Sequence, residues 1–311
     1  LSAVNVTDTG AVTRRRAGAA HGRWYTLATA VVWIAVAVLV GSGLETLRAP
    51  GGILDGTGPA AEIIWAIVAV AIVIPSAVTL TIARVAAPLV AALALAHVVA
   101  DPGPMQITGI GVALVALGLV WSAPLGAHHI QAGAYGAERR FPLRPPVGYL
   151  IASGIAWLIV VGLAAIAVRS SSTIGGIAAG LGALTLAVGS APRWHRLARR
   201  WLVLVPTGLV VHDPLVLSET LMLRRSEVAG LALASDDSPA DLSAGVRGPA
   251  LELAIRDTVT VVLATGPRRP GGRALHLTAA RVAPTRPGAV LRAWDQRAAT
   301  PPPSTHRSST S

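Results

Sequence analysis

The chain has 311 residues, of which 53% are hydrophobic and only 13% are charged. Soluble domains carry about 25% charged residues, so a soluble globular protein is excluded as a description of the whole chain. There is no cysteine, which excludes disulfides, thiolate metal ligands and cysteine nucleophiles. All 26 basic residues are arginine, and the formal net charge is +11. These arginines flank apolar runs with little aromatic interleaving, a pattern that favours anionic lipid headgroups over nucleic acid as their partner.

Six apolar runs predict a helical bundle in a membrane. A helix needs about 20 apolar residues to cross the hydrocarbon core. The run from 63 to 100 is interrupted only by Arg84, and as a single helix it would be about 57 Å long, against a core of about 30 Å. We therefore predict a hairpin that turns at Arg84, with Pro88 opening its second helix. The six predicted spans are 24–43, 63–83, 86–100, 107–124, 148–168 and 174–191.

The distribution of arginine predicts the orientation of the bundle. With a cytoplasmic N-terminal tail, residues 1–23, and strict alternation of six spans, twelve arginines lie on the inner side and two, Arg48 and Arg169, on the outer side. Cytoplasmic loops carry this excess, so we predict a multi-pass protein of the cell membrane with both termini in the cytoplasm. The first run could instead be a cleaved signal peptide, but its apolar core exceeds the roughly 7–15 residues of such peptides, which favours a retained anchor.

Two basic segments are predicted to contact anionic headgroups on the cytoplasmic side. The juxtamembrane linker, 193–200, and the loop between the fourth and fifth spans supply the arginines. The predicted contact residues are Arg193, Arg196, Arg199, Arg200, Arg139, Arg140 and Arg144. The same loop contains His128 and His129, but adjacent histidines do not share a helix face and no carboxylate lies at metal-ligand spacing, so no metal and no other cofactor is predicted.

The predicted span interiors contain no Asp, Glu or Arg, and His97 is their one ionisable residue. Ionisable groups inside the bilayer usually mark transport or catalysis, because they are costly there. His97 could therefore be a proton-relay or ligand residue, a possible intramembrane polar site. Its position three residues from the outer end of the third span favours a side chain that reaches the interface instead.

After residue 200 the hydrophobic pattern changes from that of helices to that of strands. Leu251, Leu253 and Ile255 alternate with more polar or smaller residues, the period-two signature of a half-buried strand. Six or seven short strands, followed by a helix near Pro287, predict a small, mostly-β cytoplasmic domain over 201–297. A segment of this length can bury enough surface to fold alone. The tail 298–311 is rich in Pro, Ser and Thr and is predicted to be disordered.

The run WLVLVPTGLVVHD, then LMLRRSEVAGLAL, then the terminal helix resembles bacterial pleckstrin-homology-like domains attached to membrane helices. The resemblance covers about 201–296, a third of the chain, and implies an interaction with protein or membrane rather than catalysis. The whole chain is similar to uncharacterised multi-pass membrane proteins of high-GC actinobacteria, a resemblance that implies no activity and no catalytic residues.

Three functions remain open from the sequence. The leading hypothesis is a non-enzymatic interaction or scaffold protein whose cytoplasmic domain, held at the bilayer by its basic linker, binds a protein partner or anionic lipid. The second is a small-solute transporter or permease that uses a kink at Pro75 together with His97. The third is a membrane enzyme of lipid or cell-wall metabolism, for which Ser218, His212 and Asp213 are candidates. Their proximity on short strands gives no nucleophile–base geometry, so no enzyme activity is predicted.

Overall fold

The computed structural model describes residues 6–41, 60–235, 240–264 and 272–298. The chain divides into two compact units. The first contains the chain up to Ala134 together with Val147–Arg199, and the second contains Tyr135–Pro146 together with the chain from Arg200 onward. Both units are built from discontinuous segments, which the sequence did not predict.

Helices make up the first unit. In the described residues they are α1 Val6–Gly41, α2 Ala60–Val73, α3 Ala77–Ala100, α4 Pro104–Val120, α5 Ala123–Ala132, α6 Val147–Arg169 and α7 Thr173–Ala198. Because α1 begins at Val6, the described part of the predicted N-terminal tail is helical.

Four of these helices are long and apolar enough to cross a membrane, over Gly22–Gly41, Ala77–Val99, Val147–Ala167 and Thr173–Ala198. Helices α4 and α5 meet at a bend of 48° and add a fifth span if they form one crossing. Helix α2 has 14 residues and is therefore about 21 Å long, shorter than the hydrocarbon core of about 30 Å. Within the described residues, helix length thus supports four or five crossings, and the predicted six are not confirmed.

The break between the second and third predicted spans lies at Ile74–Ser76, not at Arg84. Pro75 has no backbone N–H and interrupts the helix. Ser76 then caps α3, because its hydroxyl accepts from the backbone N–H of Thr79 at 3.0 Å while the Thr79 hydroxyl accepts from that of Ser76 at 3.0 Å. This reciprocal pair is a capping box, which fixes the first turn of a helix. Arg84 and Pro88 consequently lie inside α3, and the predictions of a turn at Arg84 and of span interiors without arginine are wrong.

Small residues and one reciprocal tryptophan pair hold the helices together. The indole N–H of Trp33 donates to the carbonyl of Trp65 at 3.1 Å, and the indole N–H of Trp65 donates to the carbonyl of Trp33 at 3.0 Å. Most of the buried residues that α3 and α4 contribute to the core are alanines, which lets the helices approach closely. Large apolar side chains such as Leu158 and Ile174 are 71% and 82% exposed, as lipid-facing positions require.

Two antiparallel sheets and one helix form the second unit. Its strands are β1 Arg139–Pro142, β2 Trp201–Val205, β3 Gly208–His212, β4 Leu221–Arg224, β5 Val228–Leu233, β6 Leu251–Leu263 and β7 Arg273–Val282, and its helix is α8 Pro287–Ala298. One sheet has the order β1-β2-β3-β4 and the other β5-β6-β7. The mostly-β domain with a closing helix is confirmed in this form. The predicted disordered tail, 298–311, lies outside the described residues apart from Ala298.

Two details of the second unit were not predicted. Strand β6 continues through Asp257 and Thr258 with a register shift between Ala254 and Val259, because a β-bulge absorbs extra residues without ending the strand. The first strand, β1, comes from the loop between α5 and α6, where Arg140 pairs with Val203 of β2. The domain therefore extends beyond the predicted boundaries 201–297.

Pairing between β1 and β2 constrains the path of the chain through the bundle. Residues 139–142 precede α6 and residues 201–204 follow α7, yet the two strands share one antiparallel ladder. Helices α6 and α7 must therefore return the chain to the side from which it left, as the two crossings of a hairpin do. Gly176 of α7 permits this hairpin to pack closely, since an added Cβ would lie 3.1 Å from the carbonyl of Ala167 in α6.

We predict that residues 200–298 fold only when β1 is supplied. Leu143 packs in the core of this unit, and its backbone N–H donates to the carbonyl of Arg200 at 3.0 Å. A fragment of residues 200–298 should show no cooperative thermal transition by circular dichroism, whereas residues 135–146 joined to it by a flexible linker should restore one. The control carries a scrambled 135–146 segment. Equal folding of all three fragments would show that β1 is dispensable.

Candidate functional site

Three of the predicted contact arginines lie at the end of α7. Arg193, Arg196 and Arg199 are exposed, and the Arg193 guanidinium also donates to the carbonyl of Gly189 at 2.6 Å. Cations near a helix C-terminus interact favourably with the helix dipole. Between them Trp194 turns inward and is 7% exposed. The three guanidinium groups therefore present positive charge at the end of a membrane helix.

Arg200 does not contact a membrane surface, and its predicted role is wrong. Its side chain is 1% exposed and forms a two-point ion pair with Asp213, with Nε to Oδ1 at 2.8 Å and Nη2 to Oδ2 at 2.6 Å. Nη1 donates to the carbonyl of Arg144 at 2.6 Å and Nη2 to that of Ser243 at 3.3 Å. Arg200 thus joins three separate segments of the β domain.

Arg144 has a structural role in the same domain. Its guanidinium donates to the carbonyls of Arg247, at 2.9 Å, and of Pro249. Gly248 lies between them with φ +92°, a backbone conformation that favours glycine. Desolvation lowers the pKa of Arg144 from its ordinary value, and nearby Arg281 lowers it further.

Arg139 and Arg140, the first two residues of β1, differ in their exposure and contacts. Arg139 is exposed, with its guanidinium 5.7 Å from the ring centre of Phe141. Arg140 is half-buried over Trp201, at 5.5 Å, and pairs with Glu138 at 3.1 Å. A hydrogen bond from the backbone N–H of Tyr135 lowers the pKa of Glu138, and Arg140 adds to that effect. Arg139 is therefore the loop arginine that is most open to a headgroup.

His97 is inside the structure rather than at a wet interface. It is 4% exposed, and Nε2 has no hydrogen-bond partner among the described residues. A buried polar atom without a partner costs free energy. The expectation of an interface-reaching side chain is therefore not met, although no acidic or basic group within the described residues pairs with this imidazole.

Arg84 is the site residue that the sequence prediction missed. It lies within the span Ala77–Val99, with Nε 3.5 Å from the carbonyl of Val120 and its guanidinium carbon 5.4 Å from the ring centre of Trp121. An added Cβ on Gly126 would lie 2.7 Å from Nη2. Arg84 therefore packs where α4 ends and α5 begins. Intramembrane ionisable residues are functional candidates by default.

His129 completes a group that we call the Arg84 cluster: Arg84, Trp121, Gly126 and His129. His129 is fully buried, with Nδ1 3.1 Å from the carbonyl of Leu125 and Nε2 3.1 Å from that of Ala71. A neutral imidazole donates through one nitrogen only, so one of these two carbonyls receives a hydrogen bond from the neutral ring. Next to the cluster, Trp194 packs edge-on against Trp121 at 5.9 Å between ring centres.

The candidate catalytic trio is not assembled. Asp213 is paired with Arg200, the His212 ring contacts the Thr220 hydroxyl at 3.0 Å through Nδ1, and the Ser218 hydroxyl donates to the carbonyl of Leu263 at 3.2 Å. Among the described residues, no three His, Asp or Glu side chains come together as a metal-ligand set.

Comparison with protein families, curated proteins and solved structures found no match to this chain. Function is therefore inferred from the contacts and charges of the chain itself.

We predict that Arg200→Ala destabilises the β domain by about 3–5 kcal/mol, because it leaves the Asp213 carboxylate buried without a counter-ion. The matched control is Arg199→Ala, an exposed neighbour whose removal should change stability by at most about 0.5 kcal/mol. Both changes in stability can be measured in the detergent-solubilised full chain, as the urea concentration at which a protease cleaves half of the β domain. Equal midpoints for the two variants would contradict a structural role of the ion pair.

We predict opposite outcomes for two substitutions at His97. His97→Leu removes the unpaired ring nitrogen and keeps most of the volume, so the melting temperature should stay level or rise. His97→Ala leaves a cavity and should cost about 2 kcal/mol or more. Thermal unfolding in detergent distinguishes them, and a leucine variant as unstable as the alanine variant would show that the imidazole makes a needed polar contact.

Proposed function

We propose that this protein is a non-enzymatic, multi-pass protein of the cell membrane whose β domain is a pleckstrin-homology-like interaction module coupled to the helices. The observation that carries the proposal is the route of the chain. It passes between the two units three times, at residues 134–135, 146–147 and 199–200. One linker would suffice to anchor a module, whereas three connections transmit a change in the module to α5, α6 and α7.

The arrangement of the module supports the pleckstrin-homology-like proposal. A four-stranded and a three-stranded antiparallel sheet are followed by one C-terminal helix. Leu202, Leu204, Leu209, Leu251 and Leu253 from both sheets are fully buried in one core. Such modules act by binding, so a protein segment or an anionic headgroup is the proposed partner.

The proposed orientation of the chain in the membrane rests on the positions of the arginines and on the number of crossings. If α2 counts as one pass and α4 with α5 as another, the chain crosses six times. The N-terminal tail, the β1 segment and the β domain then share the arginine-rich side, which is the cytoplasm by the positive-inside rule. We propose that Arg193, Arg196 and Arg199 hold anionic headgroups at that surface. Each is worth about 1 kcal/mol near an anionic leaflet.

Transport of a small solute is the second candidate. It is favoured by a specific observation, the position of Arg84 at the bend between α4 and α5. Discontinuous membrane helices with charged groups at their breaks are a common way to build a substrate site.

We predict that anionic lipid protects the end of α7 from hydrogen exchange in the full chain. Nanodiscs with phosphatidylglycerol should slow exchange over 193–200 relative to phosphatidylcholine alone, and added salt should weaken the effect. Arg193→Gln, Arg196→Gln and Arg199→Gln together should abolish it. The matched control is Arg224→Gln with Arg256→Gln, two exposed arginines of the β domain.

A topology reporter tests the orientation separately. A reporter fused after Ser311 should be active in the cytoplasm only. Activity outside the cell would overturn the proposed location of the β domain, and lipid protection that survives the triple substitution would overturn the proposed headgroup contact.

A further inference from the structure

Arg84 is a cation within a membrane helix for which the described residues provide no anion. No carboxylate among them pairs with it, and its one hydrogen bond there is the long contact from Nε to the Val120 carbonyl, at 3.5 Å. Asp101 follows the far end of α3, about 25 Å along the helix from Arg84 at 1.5 Å per residue. The two terminal nitrogens of the guanidinium thus have no acceptor within the described part of the chain.

The groups around Arg84 carry partial charges of both signs, and none of the described ones carries a full negative charge. Gly126, next to Nη2, belongs to the first turn of α5, whose N-cap is Ser122, and the N-terminus of a helix carries a partial positive charge. The C-terminus of α4, where the Val120 carbonyl accepts from Nε, carries a partial negative charge, and the face of the Trp121 ring also attracts the cation. His129, one turn further along α5, also directs its ring nitrogens at carbonyl oxygens, so it supplies no negative charge.

The geometry of the cluster suits one class of ligand. The planar guanidinium presents parallel N–H donors that match two oxygens of a phosphate. The ring of Trp121 lies against the guanidinium at 5.4 Å and limits its movement. The absence of a side chain at Gly126 leaves the room that Nη2 occupies, since an added Cβ would lie 2.7 Å from that nitrogen.

We propose that the Arg84 cluster binds a phosphate group at the break between α4 and α5. The phosphate belongs either to an anionic phospholipid or to a free phosphate ion or ester. This site does not depend on the role proposed for the β domain, because every residue in it lies in the helical unit.

The test uses the full chain in phosphatidylcholine nanodiscs. In one arm, inorganic phosphate is titrated and the melting temperature is recorded. In the other, phosphatidylglycerol is added to the nanodiscs and retained lipid is counted by native mass spectrometry. Saturable binding in either arm that falls at least tenfold in Arg84→Gln supports the site, and the responding arm identifies the source of the phosphate.

Three further variants separate binding from folding. Arg84→Lys keeps the charge but loses the paired donors, so its affinity should lie between those of the wild type and Arg84→Gln. Gly126→Ala fills the space beside Nη2 and should weaken binding even if Arg84→Gln fails to fold. The matched control, Arg224→Gln, removes an exposed arginine of the β domain and should bind as the wild type does. The proposal would be overturned by unchanged binding in Arg84→Gln, or by the absence of saturable binding in the phosphate arm and in the lipid arm alike.

Discussion

The buried ion pair between Arg200 and Asp213 is the interaction on which the second unit depends. Removing two charges from water costs several kcal/mol per ion, and the cost is offset only by good geometry and further hydrogen bonds. Arg200 meets this requirement with donors to Asp213, Arg144 and Ser243. Because α7 ends at Ala198 and β2 begins at Trp201, the residue that leaves the membrane helix is already part of the β-domain core. The chain therefore passes from the last residue of α7 to a buried residue of the β domain within two positions.

Arginine has three different roles in this chain, and the environment of each side chain determines its role. At the end of α7 the guanidinium groups are exposed, and their charge is available to headgroups. At Arg200 the charge is buried with its counter-ion, which makes it a structural element. At Arg84 the charge lies within an apolar helix and has no carboxylate partner among the described residues, and a phosphate is the partner that we propose for it. All three stand beside apolar runs, which is why their sequence context alone could not separate them.

Local sequence patterns predicted the helices and strands that short-range interactions determine. The apolar runs located the long helices, and alternation of apolar and polar residues located most strands. The closing helix was also predicted, near Pro287. The hairpin at Arg84 failed because hydropathy treats any charge as a boundary, whereas Pro75 and the Ser76–Thr79 capping box set the actual one. That signal, a proline followed by Ser-x-x-Thr, was available in the sequence. Strand β1 was not predictable in this way, since its partner follows two membrane helices later and no short-range pattern encodes such a pairing.

The position of β1 has a consequence for biosynthesis. About 60 residues, including both arms of a membrane hairpin, separate β1 from β2. At roughly 5–20 residues per second, the ribosome delivers the partner strand about 3–12 s after β1. During that interval Leu143 has no core to enter. If α6 or α7 is inserted the wrong way, β1 and β2 emerge in different compartments and the exposed strand persists. Completion of the sheet therefore requires that both helices are inserted in the correct direction.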